Sequence, residues 1–77
     1  MITMQKKISI KTDHIDLDQF LKWAEIVGSG GEAKYMIKEG LVLVNGAIEK
    51  RRARSLFRGD IVEVTNSSQV KIKIQII

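Results

Sequence analysis

Five basic residues lie within nine consecutive positions in the second half of the chain, with no acidic residue among them. They are Lys50, Arg51, Arg52, Arg54 and Arg58. A lysine ammonium group binds phosphate as a point charge, whereas the planar guanidinium of arginine can donate two parallel hydrogen bonds to one phosphate. The cluster therefore predicts a surface that binds the phosphates of a polyanion. The alternative is a solvated basic loop that only aids solubility.

A second pair of cations lies in an earlier segment with helical periodicity. Lys34 and Lys38 are four residues apart, so they share one face of a helix. The opposite face is apolar and comprises Ala33, Met36 and Ile37. An amphipathic helix of this kind buries its apolar face against a core and leaves the two ammonium groups in solvent.

Both ends of this helix carry sequence signals. Ser29 and Glu32 form a capping box, in which the serine hydroxyl accepts the Glu32 amide hydrogen and the glutamate reaches back to the Ser29 amide. Gly30 and Gly31 leave backbone amides uncovered where the helix dipole favours an anion. They indicate either a phosphate site or merely a close approach of two helices. Gly40 predicts the helix end, because glycine readily adopts the left-handed conformation needed there.

An earlier helix is predicted, with Asp16 as its N-cap residue and Gly28 at its end. Its apolar residues follow the spacing of a buried helical stripe: Leu17, Phe20, Leu21, Ala24 and Val27. Residues 29–31 alone connect it to the second helix, so the two helices must pack as a hairpin.

Strands follow the helices and flank them at both ends of the chain. Asn45-Gly46 predicts a type I′ β-hairpin turn after a strand at 41–44, because both turn positions need positive φ. Period-two alternation predicts terminal strands at 7–11 and 70–76, which we expect to pair with each other. The predicted fold class is α+β, with the helical hairpin packed on a small, mostly antiparallel β-sheet in one domain, residues 1–77.

Two aromatic residues allow two interpretations each. Trp23 lies about 100° from the centre of the first helix's apolar stripe, and Tyr35 lies on the polar side of the second helix. Each is either a half-exposed ring on which a nucleotide base stacks or the cover of a core edge. Core cover is the commoner role for such a tryptophan.

The composition excludes several classes of protein. The chain has 77 residues and a net charge of +4, which favours a polyanionic partner. It has no cysteine and one histidine, His14, so we predict no metal site, no cofactor and no catalysis. No segment approaches the ~20 apolar residues of a membrane span, and no signal peptide is evident. We therefore expect a cytoplasmic monomer without a membrane partner.

An ordered set of helix, turn and strand markers resembles the RNA-binding module named after small-subunit ribosomal protein S4. These markers are Ala33, Ile37, Gly40, Val42, Val44, Asn45, Gly46, Gly59, Asp60 and Ile61. The resemblance covers residues 17–64. The segments Phe-Leu-Lys-Trp-Ala, Gly-Ser-Gly-Gly-Glu-Ala-Lys and Arg-Arg-Ala-Arg are similar to those of small stand-alone bacterial members of that family.

The resemblance implies binding to structured RNA, ribosomal or transfer, and association with ribosomes or their precursors. By position, the implied RNA-binding residues are Lys34, Lys38, Arg51, Arg52 and Arg54, beside the glycines Gly30 and Gly31 at the helix start. Many family members have an arginine where Asp16 stands, and a Ser-Arg pair where this chain has Gly30 and Gly31. The contacts of those arginines are absent here.

Two other hypotheses stay open at this stage. The chain could be a protein-interaction adaptor on a ribosomal or replication-linked complex, adding a partner strand to its apolar terminal strands through Ile72 and Ile74. DNA binding ranks lower, because the sequence shows neither a recognition helix with base-reading side chains nor a dimer seam.

Overall fold

The computed structural model describes residues 3–65 and 69–77. Within these residues, two helices pack with a five-stranded sheet around one core, and a two-stranded sheet lies beside them. The helices are α1 Leu17–Trp23 and α2 Gly30–Lys38. The strands are β1 Thr3–Ile8, β2 Ile15–Asp16, β3 Val42–Val44, β4 Ala47–Ile48, β5 Ser55–Leu56, β6 Ile61–Thr65 and β7 Lys71–Ile76. The predicted α+β class is confirmed.

The larger sheet has the strand order β1-β7-β6-β3-β4. Only the β1-β7 pair is parallel, and the other three pairs are antiparallel. The two terminal strands pair as predicted, and β7 begins within one residue of its predicted start. The N-terminal strand is Thr3–Ile8 rather than 7–11, because β7 supplies partners for residues 3–8. Ile10 is instead a core residue outside the strand, and its amide donates to the Ile77 carbonyl at 3.2 Å.

Of the two terminal strands proposed as an adaptor surface, β7 lies inside the sheet and β1 forms its outer edge. β7 pairs with β1 on one side and with β6 on the other, so neither of its edges can accept a partner strand. The Ile74 side chain is fully buried, and Ile72 packs against the core. Strand addition through Ile72 and Ile74 is therefore excluded.

α1 ends at Trp23, and the predicted end at Gly28 is wrong. Glu25 adopts a left-handed conformation with φ of 59°, two residues after the last helical residue. The amides of Glu25 and Ile26 then donate to the carbonyls of Lys22 and Leu21, both at 3.0 Å. This is a Schellman motif, which closes the helix with a non-glycine residue at the position glycine usually occupies.

Glu25 therefore gives a first test of the structure. Glu25→Gly should stabilise the domain by about 0.5–1 kcal/mol, because glycine adopts positive φ without the steric penalty of a Cβ. The measurement is the midpoint of thermal unfolding by circular dichroism. Lys22→Gly, inside α1, is the matched control and should destabilise by about 1 kcal/mol. A loss of stability in both variants would contradict the left-handed conformation at Glu25.

α2 and the following hairpin form as predicted. Ser29 Oγ accepts the Glu32 amide at 3.2 Å, although the Glu32 carboxylate reaches the Gly28 amide, at 3.4 Å, rather than that of Ser29. Gly40 has φ of +74°, and Asn45 and Gly46 have φ of 52° and 87°, as a type I′ turn requires. None of the helices in the described part of the chain is long and apolar enough to cross a membrane.

Candidate nucleic-acid interface

Four cationic side chains converge on one cleft of about 260 Å³. α2 contributes Lys34 and Lys38, and the segment after β4 contributes Lys50 and Arg52. The buried Ile37, which is 1% exposed, also lines the cleft. We call these four cations and Ile37 the basic cleft. The structure thus brings together the two groups of cations that the sequence places more than ten residues apart.

The four cations of the basic cleft are available to a ligand. All four side chains are exposed, and none forms an ion pair with an acidic residue in the described ranges 3–65 and 69–77. Cations held close together and unpaired repel one another, and a bound phosphate would relieve that repulsion. The cleft therefore concentrates positive charge that would favour an anionic ligand.

Lys50 reaches the cleft beside the C-terminus of α2. A Cβ on Gly40 would lie 3.8 Å from Lys50 Cε, so the lysine stem runs close to the backbone where the helix ends. Carbonyl groups at a helix C-terminus attract cations. The left-handed turn at Gly40 thus ends α2 where the lysine stem passes.

Arg51 and Arg54 are engaged differently from their neighbours. Both donate to the carboxylate of Glu49, a residue that is 7% exposed. Arg51 Nη2 and Arg54 Nη1 lie 3.0 and 2.8 Å from Glu49 Oε1. The Arg51 amide and Nε lie 3.1 and 3.0 Å from Glu49 Oε2. Both carboxylate oxygens therefore have partners, and both guanidinium groups are paired with Glu49, although most of the Arg51 side chain stays exposed.

These contacts change the ionisation of the carboxylate. Hydrogen bonds from the Arg51 side chain, and secondarily from Arg54, hold the pKa of Glu49 far below its usual range, against the opposing effect of burial. The same hydrogen bond with Glu49 raises the pKa of Arg51. The Glu49 carboxylate is consequently ionised at neutral pH.

Backbone hydrogen bonds fasten the same segment, residues 50–54, to the start of α1. We call this segment the basic loop. The Leu17 amide donates to the Arg54 carbonyl at 2.9 Å, and the Asp18 amide donates to the Arg52 carbonyl at 3.0 Å. The loop thus supplies acceptors that a side-chain cap would otherwise provide. Asp16 does occupy the N-cap position, but its side chain makes no capping hydrogen bond.

The remaining basic residue of the cluster is also structural in part. Arg58 Nη2 donates to the Ile10 carbonyl at 2.8 Å and so ties the segment after β5 to the chain that follows β1. Arg58 does not line the basic cleft. The five clustered cations therefore divide into two that face the cleft and three that bind protein groups.

Gly30 and Gly31 lie outside the basic cleft. Both are exposed, and neither would bring an added Cβ within 3.4 Å of another atom, so no close helix contact explains them. The carboxylate of Glu32 lies at the same helix end, 3.4 Å from the Gly28 amide, and its charge opposes anion binding there. A phosphate contact at these glycines stays a prediction.

The two aromatic side chains also lie away from the cleft. Trp23 is 47% exposed, and its Nε1 donates to the Ser9 carbonyl at 2.9 Å, which makes it a cover over the chain after β1. Lys11 Nζ lies 5.9 Å from the centre of its ring, within cation–π range. Tyr35 is 61% exposed and borders a separate, mostly apolar cleft with Met36 and Ile72.

Two residues of the candidate site were not predicted from the sequence. Lys50 belongs to the noted cluster but was not selected as a site residue, although it lines the cleft. Glu49 was not noticed, yet a signal existed: it is the only acidic residue between Gly40 and Arg58, and it directly precedes the basic run. A lone carboxylate beside several arginines indicates an internal ion pair that orders them.

Comparisons with known proteins agree with this fold. The structure has a helical hairpin on a mixed sheet, and basic residues converge from α2 and from the segment after the β3-β4 hairpin. The family model described as "S4 domain" matches residues 8–73 of this chain. The chain therefore belongs to the S4 domain family, a class of RNA-binding domains.

One similar protein is more specific than the family. The chain is similar to the "Probable ribosome maturation protein RlbA" of Bacillus subtilis (strain 168), with 49% identity over 61 residues. The matched region covers 79% of this chain and 86% of the relative. The likeness therefore extends over most of both chains.

Proposed function

We propose that this protein binds structured RNA of the ribosome or of its precursors by docking the basic cleft on phosphate groups. The observation that carries the proposal is the convergence of Lys34, Lys38, Lys50 and Arg52, all exposed, on one cleft. Membership of the S4 domain family supports RNA as the polyanion. The name of the relative, a probable ribosome maturation protein, supports the ribosome or its precursors as the source of that RNA.

The arrangement favours recognition of RNA shape over recognition of base sequence. Phosphates carry no sequence information, so four cations at fixed positions select a backbone geometry. Folded RNA brings phosphates from separate strands close together, and it is recognised largely by shape and backbone contacts. We assign the protein a binding role without catalysis, in the cytoplasm, where ribosomes assemble.

Salt dependence tests this proposal. If the four cations each contact one phosphate, a slope of about −0.7 to −0.9 per contact predicts a loss of affinity of about 50- to 150-fold between 50 and 200 mM salt. The measurement is filter binding or fluorescence anisotropy with purified total ribosomal RNA, beside duplex DNA of matched length. The expected result is steep salt dependence with clear preference for RNA.

Two results would contradict the proposal. Equal affinity for RNA and duplex DNA would show a general polyanion binder rather than a protein fitted to folded RNA. Affinity for RNA that changes less than about threefold over this salt range would mean that fewer than two phosphates are contacted, so the basic cleft would not be the docking surface.

A further inference from the structure

We propose that Glu49 is a positioning residue for the RNA interface, which holds the basic loop so that Lys50 and Arg52 face the cleft before RNA arrives. This inference rests on the proposed function above. It gives a carboxylate, a group that by itself repels phosphate, a role in binding phosphate.

Glu49 connects three elements through one residue. Its amide donates to the Val42 carbonyl at 3.0 Å, which fixes its backbone to β3. Its carboxylate accepts from the side chains of Arg51 and Arg54. The carbonyl of Arg54 in turn accepts the first amide of α1. A continuous chain of hydrogen bonds thus runs from the sheet through Glu49 to α1, and the basic loop lies within it.

The cations of the basic loop face two different directions. Arg51 and Arg54 turn toward Glu49, whereas Lys50 and Arg52 line the cleft. A free loop would lose the conformational entropy of these residues on binding RNA. A loop already fixed by Glu49 has lost it during folding, so more of the attraction to phosphate appears as affinity.

The charge of Glu49 does little harm to phosphate binding in this geometry. Both carboxylate oxygens accept hydrogen bonds from guanidinium groups, and the trio with Arg51 and Arg54 carries a net charge of +1. Arg51 itself is 74% exposed. The trio therefore still presents positive charge to an approaching phosphate.

Two variants that raise the net charge by the same amount separate positioning from simple electrostatics. Glu49→Gln keeps the side-chain shape but replaces one acceptor oxygen with an NH₂ group that faces the arginines. Glu39→Gln removes a carboxylate next to Lys38 in the sequence. The Glu39 side chain makes no hydrogen bond or ion pair among residues 3–65 and 69–77. Simple electrostatics predicts that both variants bind RNA more tightly than the wild-type protein.

Positioning predicts opposite outcomes for the two variants. We expect Glu49→Gln to bind ribosomal RNA about five- to tenfold more weakly at 100 mM salt, because RNA must then order the loop. Glu39→Gln should bind equally well or up to about threefold more tightly. Tighter binding by both variants to a similar extent would overturn the proposal.

A second readout needs no RNA and separates this inference from the proposed function. Hydrogen exchange of the Leu17 and Asp18 amides reports the bonds to the basic loop. Exchange should be faster in Glu49→Gln and unchanged in Glu39→Gln. If the wild-type protein binds no RNA, the proposed function fails, while unchanged exchange in Glu49→Gln would still refute the ordering of the loop by Glu49.

If Glu49→Gln does not fold, Arg51→Lys tests the positioning role of Glu49 instead. It leaves the net charge unchanged and replaces an exposed side chain, but lysine cannot reproduce the forked contact with both oxygens of Glu49. We expect weaker RNA binding together with faster exchange at Leu17 and Asp18. Wild-type affinity and exchange in this variant would count against the positioning role.

Discussion

Replacing three cations of the basic cleft should reduce affinity for ribosomal RNA about 100- to 500-fold at 0.1 M salt. The variant is Lys34→Gln, Lys38→Gln and Arg52→Gln, which leaves every contact of Glu49 intact. Each phosphate contact contributes a slope of about 0.7–0.9 to the dependence of log affinity on log salt concentration. Because 0.1 M is one decade below 1 M, each contact is worth about 0.7–0.9 decades of affinity at 0.1 M. Losing three contacts therefore gives the expected reduction. The salt slope itself should become shallower by about 2–3.

The control removes the same charge from another surface. Lys6→Gln, Lys7→Gln and Lys22→Gln replace exposed lysines on β1 and α1, none of which lines the basic cleft. This variant should lose less than about fivefold in affinity, because distant charges are screened beyond ~10 Å at 0.1 M salt. An equal loss in both variants would show that net charge, not the cleft, attracts the RNA.

Neither variant should unfold, which keeps the comparison clean. The six replaced side chains are exposed, and surface substitutions away from special contacts usually change stability by less than ~0.5 kcal/mol. Equal midpoints of thermal unfolding for both variants and the wild-type protein would confirm this. A collapsed melting curve of the cleft variant would instead show that its three replaced residues are structural.

The sequence predicts α2 and its hairpin well because their signals are local. Ser29 acts on an amide three residues away, Gly40 acts on its own φ, and Asn45-Gly46 sets a two-residue turn. Each of these effects is complete within a few residues, so no knowledge of the tertiary structure is needed. The apolar face of α2 likewise predicts the burial of Ala33 and Ile37.

The misplaced end of α1 shows where local signals fail. Gly28 is the obvious terminator, yet the chain leaves the helix at Glu25, which bears a side chain at positive φ. The end is set where Ile26 packs against the core rather than by the residue with the best propensity. The N-terminus of α1 is equally non-local, since its amides bond to carbonyls of residues 52 and 54, more than thirty residues away.

The sequence predicts a region for the candidate site but not its individual contacts. Net positive charge and the S4 resemblance predict an interface on α2 and the segment after the hairpin, and the structure brings Lys34, Lys38, Lys50 and Arg52 together in one cleft. Sequence alone treats Arg51, Arg52 and Arg54 as equivalent. In the folded protein, Arg51 and Arg54 bind the buried carboxylate of Glu49, whereas Arg52 does not.

Because Arg51 and Arg54 bind Glu49, we expect their replacement to lower the free energy of unfolding substantially. The double variant Arg51→Met and Arg54→Met keeps apolar cover over Glu49 but removes both of its side-chain partners. Breaking a buried ion pair by removing one side costs ~3–5 kcal/mol. We expect a loss below this range, because Arg51 is largely exposed and water can reach part of the site. For a domain of this size, each kcal/mol lost lowers the melting midpoint by roughly 4–8 °C.

The pH dependence of this loss identifies its cause. In the wild-type protein the arginines lower the pKa of Glu49, so its stabilising contribution is present above the unfolded pKa of ~4.3 and is lost as pH falls toward the folded value. In the double variant, burial without partners raises the pKa, so the carboxylate destabilises at neutral pH and is relieved by protonation. The difference in stability between the two proteins should therefore shrink as pH falls from 7 to 4.

A compensating substitution completes the test. Adding Glu49→Leu to the double variant removes the unpaired carboxylate, and apolar replacement of a whole buried ion pair is often neutral or stabilising. The triple variant should therefore regain most of the lost stability at pH 7 and show no shrinking difference toward pH 4. Urea unfolding followed by Trp23 fluorescence measures both quantities. If the triple variant is as unstable as the double one, the loss comes from packing of the arginine stems, not from the charge of Glu49.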